Sequence, residues 1–184
     1  MAQYTKKAIL QTFQDMLQKN PFDKITVSAL VANCEISPNT FYYHFRDIYD
    51  LLETWLQIKL KKYFADAMEE MPWPEALKVL LRDMRENSAL VYHLFESLSR
   101  ERIERYIFES TDDTFYRIVR QEAGDTSLPE TVLREIAEYN SYAILGFFLK
   151  FLWMEMEGDI EEGVDRIAYI LKKNVQWTVK TWNE

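Results

Sequence analysis

Residues Ser37–Phe45 read S-P-N-T-F-Y-Y-H-F. Small hydroxyl and amide side chains come first (Ser37, Asn39, Thr40), then two phenols and one of the chain's two histidines. Hydroxyl and imidazole groups can donate hydrogen bonds to phosphate oxygens, and small polar side chains let a backbone approach base edges closely. This chemistry suits a surface that grips a nucleic acid. A purely structural reading also exists, in which all the aromatics are core. Phe41 and Phe45, four apart, fit it and are expected to pack inward. Two adjacent tyrosines and a histidine cannot all point inward from one helix, so some polar tips must reach solvent.

The elements that would position these groups are legible around them. Ile9, Phe13, Met16 and Leu17 fall at helical spacing over residues 5–19, and Asn20-Pro21 ends that helix. Thr26 reads as an N-cap, followed by Val27, Leu30, Val31 and Cys34 on one face of a short second helix. After the turn Cys34–Ile36, Ser37 caps a third helix with Pro38 at its first position. Two short helices joined by about three residues make a helix-turn-helix pattern. In that geometry the second helix enters the DNA major groove by its N-terminal end. Ser37, Pro38, Asn39 and Thr40 would face the groove, where the free first-turn N–H groups favour an anion, and Tyr42, Tyr43 and His44 would reach the phosphate backbone. Asp47 caps the next helix, with Asp50 in capping-box position; its apolar stripe is Leu51, Leu52, Trp55, Leu56 and Phe64.

The rest of the chain also reads as helix. Only 4 Gly and 5 Pro occur in 184 residues, so turns are few and elements long. Helices are expected at 74–86, 88–98, 99–122 (kinked near Ser110-Thr111-Asp112), 129–157 and 160–182, the last capped by Asp159 with Glu162. The fold class is all-α. Helix 129–157 carries A-I-L-G-F-F-L-K-F-L-W-M, apolar nearly all round, so it is buried on more than one side. Gly146 would let a facing helix come close. The final helix traces a stripe from Val164 to Trp182. Packing within a monomer is the plain alternative, but the aromatic load favours a four-helix homodimer interface, two helices from each chain. Ile144, Phe148, Phe151, Leu171, Val175 and Trp182 are its expected members.

Charge divides the chain. Net charge is −8, yet residues 1–47 carry five Lys or Arg against four acids, while the other 137 carry 17 against 26. The overall charge argues against nucleic acid at face value, but the first quarter is chemically distinct from the rest. No 18-residue apolar run exists, and the N-terminal stretch is amphipathic and unlike a signal peptide. A single cysteine, Cys34, fits a reducing compartment, so the cytoplasm is expected. Two histidines and one cysteine, far apart, give no metal-ligand spacing, and no cofactor is expected. A Cys34–His44 nucleophile pair is set aside because Cys34 falls on the inward stripe of its helix. Paired acids such as Glu69-Glu70, Asp112-Asp113 and Glu161-Glu162 read as solvated faces and caps. The chain is not expected to be an enzyme.

The stretch I-T-V-S-A-L-V-A-N-C-E-I-S-P-N-T-F-Y-Y-H-F-R-D-I-Y-D-L-L resembles the N-terminal signature of the TetR/AcrR family of transcriptional regulators, over about residues 5–56. The segments Y-D-L-L, P-W-P and Y-N-S-Y-A-I-L-G are similar to a branch containing activators of dihydroxyacetone-kinase-type operons. The resemblance implies a three-helix DNA-binding head at 1–47 and an all-helical effector-binding and dimerisation domain at 48–184, about nine helices in total. It implies a homodimeric repressor on a palindromic double-stranded operator, relieved by an apolar or aromatic small-molecule effector. It further implies that Thr26 touches a phosphate, that Ser37, Pro38, Asn39 and Thr40 face the groove, and that Tyr42 and His44 grip the backbone with Tyr43 beside them. The implied effector pocket draws on the middle-helix aromatics, with Tyr92, Phe95, Tyr106, Phe115, Tyr139 and the polar Asn140 as candidates; His93 reads instead as a hydrogen-bonded core or surface residue. Two positions depart from the family pattern. Ile48 stands where a lysine often binds phosphate, and Pro38 where Lys or Arg often follows the serine. Both losses remove positive charge and imply a shallow salt dependence, which Lys6, Lys7, Lys24 and Arg46 offset in part. The departures leave a second reading, a protein-binding coregulator that keeps the fold with weak or no DNA binding.

Overall fold

The computed structural model describes residues 2–62 and 71–182. Phe64 and the Glu69-Glu70 pair lie outside the described residues. Among the described residues there are nine α-helices, one 3-10 turn and no strand. The helices are α1 (Ala2–Leu17), α2 (Val27–Asn33), α3 (Pro38–His44), α4 (Ile48–Lys61), α5 (Trp73–Glu86), α6 (Ser88–Phe95), α7 (Arg100–Ala123), α8 (Glu130–Trp153) and α9 (Ile160–Thr181), with the 3-10 turn at Phe22–Lys24. The chain packs as two units: residues 1–59 with 86–106, and 60–85 with 107–184. Among the described residues no helix is long and apolar enough to cross a membrane.

In the first unit, α1 buries Ile9, Phe13 and Leu17, spaced by four, on one core with Phe22, Leu30, Phe41, Phe45, Leu51, Leu52 and Trp55. Phe13 meets Phe22 and Trp55 edge-to-face, each at 6.1 Å between ring centroids. Leu90 and Leu94 of α6 join the same core, so the packed head extends beyond the expected 1–47. His93 fastens α6 to the end of α1. Its Nδ1 lies 2.8 Å from the Leu17 carbonyl, which can only accept, so Nδ1 carries the proton.

In the second unit, α5 buries Trp73, Leu77, Leu81 and Met84 on one face. Lys78 is buried with it, and its Nζ lies 2.6 Å from Asp165, 2.8 Å from Glu75 and 3.5 Å from Glu161. These carboxylates raise the ammonium above its ordinary pKa, the Asp165 hydrogen bond contributing most. Arg82 pairs with Glu161, so two cations on α5 grip the first turns of α9. Helix α7 is continuous through residues 110–112, where Thr111 donates its hydroxyl to the Ile107 carbonyl at 2.7 Å, a back-bond of the kind that bends helices. One expectation about a helix end changes here. Helix α8 stops at Trp153, short of the expected 157. Glu155 and Met156 take positive φ (56° and 57°), and the Met156 N–H closes onto the Phe151 carbonyl at 2.9 Å. Burial of the Met156 side chain offsets the left-handed backbone there.

Candidate nucleic-acid interface

The helix pair α2–α3 is fixed by its caps. Thr26 Oγ1 accepts the Ala29 N–H at 3.2 Å, and Ser37 Oγ accepts the Thr40 N–H at 3.1 Å. The turn between them closes as a Schellman motif: the Ile36 N–H reaches the Val31 carbonyl at 3.1 Å and the Glu35 N–H the Ala32 carbonyl at 3.3 Å. Glu35 takes the left-handed position, with φ 54°.

From this base α3 sorts its side chains by face. Phe41 is fully buried and Phe45 nearly so, 5.7 Å apart between centroids. Tyr42 is 57% exposed and Tyr43 78%. Pro38 and Asn39 are exposed at the N-terminal end, with Ser37 beside them and Thr40 and His44 half-buried. The Ser37 and Thr40 hydroxyls lie 2.9 Å apart, so each orients the other. Tyr43 stands edge-on to His44 at 5.0 Å. Thr26, also exposed, spends its oxygen on the cap and keeps its hydroxyl proton as a donor. The expected groove-facing and phosphate-facing side chains therefore share one head, with aromatic anchors on the opposite face of α3.

The corner between α3 and α4 is more ordered than its sequence indicated. Asp47 Oδ1 accepts the N–H groups of Tyr49 and Asp50, at 2.8 and 2.9 Å, as an N-cap. Asp50, expected to complete a capping box onto Asp47, reaches back one residue further. Its Oδ2 accepts the Arg46 N–H at 2.8 Å and its Oδ1 the Arg46 guanidinium at 3.2 Å. The first of these bonds holds the Asp50 carboxyl below its ordinary pKa. Sequence reasoning missed this pair, although the i,i+4 spacing of Arg46 and Asp50 was its signal. Lys6 lies with its ammonium 5.3 Å from the Phe45 ring centroid.

Residues 3–54 match the family model of bacterial regulatory proteins of the tetR family, and residues 72–173 match that of a transcriptional regulator C-terminal region. The chain belongs to the TetR family. Both matched models describe transcriptional regulators. The chain is 23% identical over 142 residues to the HTH-type dhaKLM operon transcriptional activator DhaS of Lactococcus lactis subsp. lactis (strain IL1403), covering 76% of this chain and 75% of that one. Two solved structures share the fold. One is a dihydroxyacetone kinase operon activator DhaS, with TM-score 0.70, 20% identity, and 94% and 97% of the two chains covered. The other is a TetR transcriptional regulator from Streptococcus agalactiae 2603V, with TM-score 0.67, 20% identity, and 92% and 94% covered.

The expected effector residues of this TetR-family chain fall in both units. Tyr92, Phe95 and Tyr106 belong to the first unit, where Phe95 and Tyr106 pack on the head's core. In the second unit Phe115 lines an apolar cavity of about 50 Å³ with Leu77, Leu80, Ile144 and Leu145. Thr111 and Ser141 at its edge donate their hydroxyls to carbonyls of their own helices, at 2.7 Å each. Tyr139 is exposed, and Asn140 is buried beside it with Nδ2 donating to the Ile136 carbonyl at 2.8 Å. Both border a groove between α8 and α9 that also holds Trp177 and Trp182.

Of the six expected dimer residues, Ile144, Phe151, Leu171 and Val175 are buried within the chain itself. Phe148 is half-buried and Trp182 exposed. The uncovered apolar side of α9 carries Ile170 and Trp177, and that of α8 carries Tyr139, Gly146 and a half-buried Phe147. A Cβ added at Gly146 would meet nothing within 4 Å, whereas one at Gly163 would touch the Phe147 ring at 3.3 Å.

Proposed function

We propose that this TetR-family regulator works as a homodimer whose two α3 helices read adjacent major grooves of a palindromic operator. Residues 1–47 supply its reading elements, supported by residues 48–59 and 86–106 of the same unit, and the second unit is its regulatory and dimerisation part. The observation that carries the reading is the sorting of α3, with Phe41 and Phe45 sealed inward and Tyr42 and Tyr43 projecting outward. Thr26, Tyr42, Tyr43, His44 and Arg46 hold phosphates, while Ser37, Pro38, Asn39 and Thr40 meet base edges. The uncovered α8–α9 side supports a second copy, which would set the two heads about 34–36 Å apart. An effector belongs to the second unit and shifts the population of head spacings. The cavity beside Phe115 is apolar and far below the ~300 Å³ of a drug-sized site, so an effector there is small, uncharged or accompanied by widening. Repression remains the expectation for the sign of regulation, but a relative named as an activator supports the opposite sign.

The test is a gel shift with the DNA flanking the chain's own gene, repeated across salt. Retardation by the unaltered protein, weakened about tenfold in Thr40→Ala or Tyr42→Ala, is the expected outcome. Failure to retard any DNA, together with a stable co-purifying protein, would replace this reading with the coregulator.

A further inference from the structure

The family pattern often keeps a phosphate-binding lysine at the first residue of the fourth helix, and this chain has Ile48 there, half-buried on the head's core. A cation is nonetheless present two residues earlier. The Arg46 side chain is 82% exposed, yet it is not a free arm. Asp50, one turn into α4 and only 24% exposed at its side chain, holds the Arg46 backbone N–H with one oxygen and the guanidinium with the other. A two-point hold fixes both the peptide plane and the head of the side chain, which an exposed single-point surface pair does not do.

We propose that Asp50 is a positioning residue for DNA binding: it locks Arg46 at the α3–α4 corner so that the guanidinium presents its remaining N–H donors to a backbone phosphate, taking over the contact that position 48 has lost. This rests on the DNA-binding reading above. A guanidinium has five N–H donors in a planar fork, so bonding one to Asp50 leaves donors for a phosphate. Pre-ordering removes much of the rotamer entropy that an arginine otherwise loses on binding. Asp47 and Glu53 also act on Arg46, and Lys6 on Asp50, so the corner has no surplus of positive charge and the contact rests on the directed N–H donors of the guanidinium. Position 48, in turn, is released to serve the core.

The bland alternative gives the opposite sign, which makes the proposal testable. If Asp50 were only a helix-start residue, its charge would repel DNA, and neutralising it would tighten binding. The probe is a 30-bp duplex selected by the unaltered protein from a random-sequence library, followed by fluorescence anisotropy across a salt series. Arg46→Ala should weaken binding about tenfold and reduce the salt slope by about one. Asp50→Asn keeps an oxygen to accept the Arg46 N–H and should weaken binding about threefold with the slope retained, because the arginine is still charged but no longer held. In the Arg46→Ala background Asp50→Asn should change nothing, because a positioning residue has no effect without the group it positions. Tighter binding by Asp50→Asn, or the same loss in both backgrounds, would overturn the proposal. If Asp50→Asn does not fold, the same cycle with Asp50→Glu decides: loss only in the presence of Arg46 supports the proposal, and loss in both backgrounds or in neither overturns it. No selection of any duplex by the unaltered protein refutes the DNA-binding reading itself, and unaltered binding by Arg46→Ala refutes the Arg46 contact.

Discussion

At the scale of single residues, the helix caps were legible because they depend on local chemistry. Thr26, Ser37, Asp47 and Asp159 each accept the N–H their sequence position indicates. Hydroxyl and carboxylate side chains at helix starts have few other local partners, so their role follows from type and spacing. Glu35 was not legible. A left-handed residue in a tight turn is usually Gly or Asn, and nothing in a glutamate announces φ 54°. The strain gives a prediction. Glu35→Gly removes the Cβ clash in an exposed turn and should stabilise the head by about 1 kcal/mol, seen as a higher midpoint in urea unfolding. An unchanged or lower midpoint would mean that the gain in unfolded-chain entropy outweighs the relieved strain.

At the scale of elements, helix existence was read well and helix ends less so. The 3.6-residue period of Ile9, Phe13 and Leu17 fixes the buried face of α1. The end of α8 escaped because Glu155 and Met156 turn left-handed to bury Met156, a tertiary cause that a helical pattern cannot carry. The α3–α4 corner yields a pH prediction. The fold holds the Asp50 carboxyl below its usual value, chiefly through the Arg46 N–H, so the ionised form is favoured by folding. That stabilisation is full above the unfolded value of about 3.9 and is lost as pH falls through the lower folded value. Asp50→Asn should therefore fall less steeply in stability between about pH 5 and pH 2 than the unaltered protein. Urea melts across that range measure the difference, and parallel curves would show that Asp50 is not linked to folding.

At the scale of the whole molecule, the sequence told which helices were too apolar for solvent and not which side their own chain covers. Leu171 and Val175 lie on the same helix as Ile170 and Trp177, yet the first two are sealed inside and the second two exposed. A stripe read from one chain cannot separate a wall of the core from a wall of an interface. The middle aromatics are alike in this respect, since Tyr92 and Tyr139 have the same chemistry but belong to different units. If the uncovered α8–α9 side is the homodimer contact, Ile170→Glu with Trp177→Glu should reduce the solution mass from about twice 22.1 kDa to that of one chain, without loss of helix signal. Light scattering after size-exclusion chromatography reads this directly. A doubled mass in the variant would place the contact elsewhere.

Whether α3 meets DNA with its outward face is decided by amide NMR of the isotope-labelled protein titrated with its selected duplex. Shifts concentrated at Ser37–Arg46, with the Thr26 cap also moving, are predicted. Shifts that spare this segment while others respond, or a spectrum unmoved by saturating duplex, would contradict it.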